Sequence, residues 1–289
     1  MSYSNWIISY KTCLCCVIGH PIDKSLSPIM HNEAFRAKGL DYVYIAFDVS
    51  ESHLNEAVEG LRALRVRGFN VTMPHKVAIM NLLDRIDKGA SLVGAVNTVV
   101  NDDGKLIGYN TDVDGVIFAL EAKVHSLEGL KALLIGAGGA ARACIVALVS
   151  KGCKEIIVMN RTFSKAKSMV EDLSKKLKMI FNVEELNIDS LKRAIKSVDI
   201  LINATPMGTY PNLDESFIPQ ELIKKDMVVF DVVYNPKKTK LIRDAEKMGA
   251  KVIPGYEMFV GQGAASFNLW TGIDAPIGIM RRVVLKALR

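Results

Sequence analysis

Several features that would quickly narrow the class of this chain are missing from its 289 residues. The five cysteines (Cys13, Cys15, Cys16, Cys144 and Cys153) are odd in number. That argues against a disulfide framework and points to reduced thiols in a cytoplasmic setting. Cys13-x-Cys15-Cys16 has no second cluster to complete a metal site, and the histidines stand at no ligand spacing, so no metal is expected. No basic region precedes the apolar start, which Lys11 interrupts, so no signal peptide is expected. A membrane span is also missing. Residues 132–149 come near to one, but Arg142 near their middle would cost about 2.5–3.5 kcal/mol, and the GAGG stretch is a poor spanning helix. Neither charge sign dominates: 37 Lys and Arg stand against 31 Asp and Glu, scattered along the chain. A surplus of +6 spread this way suits an acidic small molecule at least as well as nucleic acid, which would call for a basic patch. We therefore expect neither a membrane nor a nucleic acid as partner.

What is present describes a soluble globular protein, with 49% hydrophobic and 24% charged residues. At roughly 100–200 residues per domain, the length suggests two domains. From Lys131 onward, strands of continuous Val, Ile and Leu alternate with amphipathic helices. Strands are expected at 131–135, 155–159, 179–183, 198–203, 227–233 and 251–253, and helices at 139–150, 164–177, 189–196 and 238–248. Apolar runs of that kind belong to a parallel sheet covered on both faces, a doubly wound α/β domain. The first 110 residues alternate in the same way and predict a second, smaller α/β domain. Its strands are expected at 13–18, 42–48 and 67–71. Pro28 and Pro74 each stand where a helix would open, because proline suits a first helical turn. The last 30 residues read as helix broken near Pro276.

The strongest local signal is Gly136-Ala137-Gly138-Gly139-Ala140-Ala141, a G-x-G-x-x-A run that follows a strand and opens a helix. Glycines there permit a tight turn and close approach to a pyrophosphate, and the helix start offers free N–H groups to that anion. An NAD site wants Asp or Glu about 20 residues on, for the ribose hydroxyl. Here the next strand ends in Asn160-Arg161-Thr162, with Lys165 one turn later. Two cations in place of a carboxylate favour the 2′-phosphate of NADP.

A nicotinamide enzyme acting on an alcohol also needs a group to take the hydroxyl proton. Lys76, in the turn after Pro74, is the leading candidate, where a helix dipole would disfavour its charge; His75 is its rival and Asp112 a candidate partner. Neutral hydrogen-bonding residues cluster at the breaks: Ser25, Ser27, Asn70, Thr72, Asn97, Tyr234 and Gln262. They suit a polyhydroxylated ligand if folding gathers them.

In combination these segments resemble the shikimate dehydrogenase family over nearly the whole chain. The resemblance rests on Ser25-Leu26-Ser27-Pro28, Asn70 to Lys76 (NVTMPHK), Gly94 to Thr98 (GAVNT), Asn110-Thr111-Asp112 and the Gly136–Arg142 loop. It continues through Asn160-Arg161-Thr162, Asn203 to Gly208 (NATPMG), Tyr234-Asn235-Pro236 and Phe267 to Gly272 (FNLWTG). The resemblance implies reversible, NADP-dependent reduction of 3-dehydroshikimate to shikimate, on the route to chorismate and the aromatic amino acids. It implies that the last helices return to the first domain, giving a substrate domain of residues 1–112 plus 256–289 and an NADP domain of 113–255, with substrate in the cleft between them. By the same analogy Lys76 is the acid/base, hydrogen-bonded to Asp112. Ser25 and Ser27 take the substrate carboxylate, and Asn70, Thr72, Asn97, Asp112, Tyr234 and Gln262 meet hydroxyls or frame the ring. Gly136, Ala137, Gly138, Gly139 and Ala140 take the pyrophosphate, and Asn160, Arg161, Thr162 and Lys165 the adenosine phosphate. Thr205, Met207, Val232 and Gly255 lie nearer the nicotinamide.

Several positions depart from the family pattern: Val113 for a usual Gly, Lys88 for a frequent Glu, Gly263 for a common Ala, and Thr209-Tyr210 after Gly208. Val113 is expected to stiffen a hinge. Rival readings are a quinate/shikimate dehydrogenase using NAD, a metabolite sensor without the proton-transfer residue, and a folate-type methylene dehydrogenase, which would not need Ser25 and Ser27. A cytoplasmic monomer or homodimer acting on small molecules is the resulting expectation.

Overall fold

The computed structural model describes residues 8–288. The signal-peptide expectation rests partly on positions before Ile8, outside the described residues. Two compact units form among the described residues: one from 8–91 with Ala95–Thr111 and Gly263–Ala287, the other from Leu92–Gly94 and Asp112–Gln262 with Leu288.

The first unit opens with strand β1 (Cys13–Gly19), helix α1 (Ser27–Ala37) and strand β2 (Tyr42–Asp48), then α2 (Leu54–Ala63) and β3 (Gly68–Val71). Two-residue β4 (Arg85–Ile86), α3 (Lys88–Val93), β5 (Thr98–Asp102) and β6 (Lys105–Tyr109) follow. Proline sits in the first turn of α1, as its fixed φ favours. The sheet order is β2-β1-β3-β5-β6-β4. β2, β1 and β3 are parallel, whereas β5 runs antiparallel to both β3 and β6. That hairpin is absent from the strand–helix alternation read in the sequence. Its signal was the Asp103-Gly104 pair, whose φ of +47° and +90° form the tight turn that Asp-Gly sequences adopt between paired strands.

No α-helix opens at Pro74. Residues 73–77 form turns, followed by a 3-10 helix at Ala78–Leu82. Tertiary partners claim the carbonyls a helix would use: Met73 O accepts from His20 N at 3.0 Å and Lys76 O from Val96 N at 2.8 Å. His75 is buried, its Nε2 2.6 Å from the Val49 carbonyl oxygen. The helix-dipole argument for Lys76 therefore lapses, and His75 is fixed as a packing residue.

The second unit starts with α4 (Asp112–Glu121) and continues β7 (Lys131–Ile135), α5 (Gly139–Ser150), β8 (Glu155–Asn160), α6 (Phe163–Leu177), β9 (Asn182–Glu185) and α7 (Ile188–Ser197). Strand β10 (Ile200–Asn203), β11 (Val228–Asp231), α8 (Lys240–Lys247) and β12 (Lys251–Ile253) complete its sheet. All its strands are parallel, in the order β12-β11-β10-β7-β8-β9. This is the doubly wound sheet expected from the apolar runs, and its order reverses between β7 and β10. In such sheets a ligand crevice lies outside the strand ends at the reversal. Helix α5 is buried nearly all round because Ala141 and Ala143 to Leu148 leave no polar face. In α7, Leu191, Ala194 and Ile195 recur at helical spacing and pack with Leu133, Leu201 and Val229, while the Asn187 side chain caps the helix by accepting from Ser190 N. Each such fully buried aliphatic side chain contributes about 1.5–3 kcal/mol.

Helix α9 (Gly255–Thr271) begins in the second unit, and its part from Gly263 onward belongs to the first, as does α10 (Ile277–Ala287), which packs on α1. The last helices thus return to the first unit. Trp270 is wholly buried there, its indole N–H donating to Val99 O at 3.0 Å. Gly68 makes room for that ring, since a Cβ would lie 2.2 Å from the indole nitrogen. Among the described residues no helix is long and apolar enough to cross a membrane.

Candidate active site

In the second unit a cavity of about 560 Å³ opens at the reversal of strand order. The Gly136–Gly138 turn forms one wall. Gly136 has φ +126°, and a Cβ there would stand 2.7 Å from the Ala204 carbonyl oxygen. The loops after β7 and β10 therefore meet only because this residue is glycine. Gly138 caps α5, and nothing lies within 4 Å of where its Cβ would be. The exposed start of a twelve-residue helix with open space before it fits a pyrophosphate.

Asn160, Arg161, Thr162 and Lys165 line the far side of the same cavity, with Leu186 beside them. Asn160 Nδ2 donates to Thr162 O at 2.9 Å, fixing the turn that carries the two cations. Arg161 and Lys165 are exposed and engage no carboxylate among the described residues. With no acid at the end of β8, this site fits a phosphorylated ribose better than a bare diol. Thr205 and Met207 line the opposite side. Of the sequence-chosen cofactor residues, the cavity thus gathers Gly136, Ala137, Gly138, Asn160, Arg161, Thr162, Lys165, Thr205 and Met207. Gly139 and Ala140 stand behind in the first turn of α5. Val232 and Gly255 are not among the lining residues; they pack on each other, a Gly255 Cβ falling 2.4 Å from the Val232 carbonyl oxygen. Sequence reasoning missed Leu186, Pro211, Asn212 and Phe217 as lining residues, and noted Tyr210 only as a departure from the family pattern. They come from loops with no motif spacing.

In the first unit the polar residues form a buried network. Asn70 Nδ2 lies 3.1 Å from Asn97 O, 3.0 Å from Thr98 Oγ1 and 3.0 Å from Ser266 Oγ, and its Oδ1 accepts from the Tyr44 hydroxyl at 2.7 Å. Burial pushes the Tyr44 phenol well above its usual range, so it stays a donor. Asn97 Oδ1 accepts from Thr111 N at 2.7 Å, and Asn97 Nδ2 donates to Thr111 Oγ1 at 3.0 Å. Asn70 and Asn97 are thus brought together, with Asn70 engaged inside the unit. Tyr44, Thr98, Thr111 and Ser266 complete the network without any signal in sequence spacing. Ser25 Oγ accepts from Ser27 N at 3.3 Å. Thr72 is half-buried and follows β3 directly, and Lys76 is half-buried in the turn beyond it.

The other sequence-chosen residues belong to the second unit. Asp112 is buried in the first turn of α4. Tyr234 stacks on Phe259 with ring centroids 4.6 Å apart, and Gln262 Nε2 donates to Phe259 O at 2.9 Å. Both are therefore held by the same residue of α9. Of the family departures, Gly263 faces the flexible end of Met30, 2.2 Å from where a Cβ would lie, so alanine there requires Met30 to move. Val113 is half-buried in α4 and Lys88 exposed at the start of α3.

Three family profiles match in chain order. Residues 17–99 match the shikimate dehydrogenase substrate binding domain, 119–245 the shikimate / quinate 5-dehydrogenase family, and 255–285 the shikimate 5′-dehydrogenase C-terminal domain. The NADP(+)-dependent shikimate dehydrogenase of Methanocaldococcus jannaschii is 46% identical over 280 residues, covering 96% of this chain and 98% of that one. A crystal structure of a shikimate dehydrogenase in complex with NADP+ is 44% identical and superimposes with a TM-score of 0.92, covering 98% of each chain. That of the Listeria monocytogenes shikimate 5-dehydrogenase, in complex with shikimate and NAD, gives 0.90 at 40% identity, covering 96% of this chain and 97% of that one.

Proposed function

The chain belongs to the shikimate dehydrogenase family, and from that premise we propose that it interconverts shikimate and 3-dehydroshikimate with NADP, on the route to the aromatic amino acids. The observation that carries the cofactor half is the cavity at the strand reversal, with a glycine turn and helix start at its centre and Arg161 and Lys165 where an NAD site would present a carboxylate. Bound NADP supplies the acceptor for the hydride that leaves the substrate carbon.

The chain's own residues then handle the proton and the orientation. Lys76 takes the hydroxyl proton during oxidation and returns it during reduction, with Asp112 as its partner. Support comes from the backbone. Lys76 O holds Val96 N, the adjacent Asn97 holds Thr111, and Asp112 is the next residue after Thr111. The Lys76 backbone and the residue before Asp112 are therefore both bonded to the same Val96-Asn97 step. Ser25 and Ser27 hold the substrate carboxylate, and Thr72, Asn97, Tyr234 and Gln262 meet its hydroxyls or frame its ring. Asn70 keeps Asn97 and Ser266 in place behind them. The five unpaired thiols support a cytoplasmic setting, where the enzyme acts as a monomer or homodimer.

The decisive test compares kcat/KM for shikimate and quinate, each with NADP and with NAD. Shikimate with NADP should dominate. A dominant quinate–NAD pair would assign the alternative reading, a quinate/shikimate dehydrogenase of relaxed cofactor use, and inactivity with every pair would end both.

A further inference from the structure

One buried carboxylate reaches the cofactor cavity without lining it. Asp231 ends β11 and has no exposed surface. Its Oδ1 accepts from Asn203 Nδ2 at 2.9 Å and from Val233 N at 3.1 Å, and its Oδ2 accepts from Thr239 Oγ1 at 2.6 Å. These are neutral dipoles, and burial pushes the Asp231 carboxyl up to about 6 despite all three. An interior carboxylate without a cation is a costly way to close a strand.

What the carboxylate holds accounts for its presence. Asn203, which faces Asp231 across the β10–β11 register, is almost completely buried. Its Oδ1 accepts from Thr205 Oγ1 at 2.7 Å and Thr205 N at 3.2 Å, while its Nδ2 also reaches Met207 O at 3.3 Å. Thr205 Oγ1 in turn accepts from Met207 N at 3.2 Å. A relay therefore runs from Asp231 through Asn203 to Thr205 and Met207, two of the residues on this side of the cavity. The strand order says which end of the ligand they face. Arg161 follows β8, the glycine turn follows β7, and Thr205 follows β10 on the other side of the reversal. A dinucleotide with its phosphorylated ribose at Arg161 and its pyrophosphate at the glycine turn directs its nicotinamide toward Thr205 and Met207.

We propose that Asp231 is a positioning residue for the nicotinamide wall, holding Thr205 and Met207 through Asn203 and itself held by Thr239. The proposal rests on the reading that this cavity takes NADP. Its test separates the two ends of the cofactor. Affinities for NADPH and for adenosine 2′,5′-bisphosphate, which carries the phosphorylated ribose but no nicotinamide, are measured on the wild type and on Asp231→Asn, Thr239→Val and Thr239→Ser. Asp231→Asn and Thr239→Val should each weaken NADPH about tenfold, the scale of one lost buried hydrogen bond, and change the bisphosphate less than about twofold. Thr239→Ser, which keeps the hydroxyl, should retain wild-type affinity, and kcat with shikimate should follow the NADPH affinities. Equal weakening of both ligands would reduce Asp231 to a general stabiliser, and unchanged NADPH affinity in both damaging variants would overturn the proposal. A wild type that binds NADPH but ignores shikimate would sink the assigned reaction, while the ratio of the two affinities would still decide the role of Asp231.

Discussion

Lys76 and Arg161 are asked to do different things, and kinetics can tell them apart. A proton-transfer group acts in the transition state, so Lys76→Ala should lower kcat by about 100-fold or more while leaving KM for shikimate within a few-fold. Equal losses in kcat and affinity would make Lys76 a binding residue only. Arg161, proposed to hold the cofactor's 2′-phosphate, would act before any chemistry. Arg161→Ala should raise KM for NADP by about tenfold or more and leave that for NAD nearly unchanged, because a charge-assisted bond to phosphate contributes about 1.5–3 kcal/mol. At this scale much of the cavity lining was legible in the sequence, since Gly136 to Gly138 and Asn160 to Lys165 sit at fixed offsets from strand ends. Asn70 was legible as important but not as buried. Its engagement by Tyr44, Thr98 and Ser266 depends on partners up to 196 residues away, which no spacing rule reaches.

At the scale of elements, local chemistry decided some outcomes and tertiary partners others. The Asp103-Gly104 hairpin was written locally and could have been read. The turn after Pro74 could not, because the helix expected there gives way to bonds from His20 and Val96, which are remote in sequence. In the second unit the alternation of apolar runs and helices was legible because the central strands β7, β8, β10 and β11 are buried on both faces. The tightest element-level constraint is the contact between the β7 and β10 loops. Gly136→Ala places a Cβ 2.7 Å from the Ala204 carbonyl oxygen at φ +126°. It should destabilise the protein by about 1–3 kcal/mol, read as a lower urea midpoint, and weaken NADPH binding as the loops part. An unchanged midpoint would mean that the Ala204 loop yields freely.

Two buried titratable groups give the whole molecule a pH signature of opposed sign. His31 is fully buried, stacks on Tyr44 at 4.5 Å, and has no hydrogen-bond partner on either ring nitrogen among the described residues. Burial lowers its pKa from 6.5 to about 3. The unfolded chain therefore takes up this proton first, and stability present above pH 6.5 is lost as pH falls toward 3, by up to about 5 kcal/mol. Asp231 works the other way. Its carboxyl is raised from 3.8 to about 6, so its contribution is fully present below pH 3.8 and is lost as pH rises through 6, by about 3 kcal/mol. Urea titrations across this range should show a shallower acid loss in His31→Phe and a shallower loss toward neutral pH in Asp231→Asn. Identical pH profiles in wild type and variants would contradict both assignments. Neither group was singled out in the sequence for this role, because the burial that perturbs each one is made by the fold.

The central claim is that a cavity selecting a 2′-phosphate and an acid/base lysine on the substrate-binding unit together oxidise one ring alcohol. The most direct measurement mixes the purified protein with shikimate and saturating NADP and follows the absorbance of reduced nicotinamide. The account predicts steady formation of NADPH, with kcat/KM for NADP well above that for NAD, and loss of turnover in Lys76→Ala with NADPH still bound. No NADPH formation by the folded, cofactor-binding wild type, or full turnover in the Lys76→Ala variant, would contradict it.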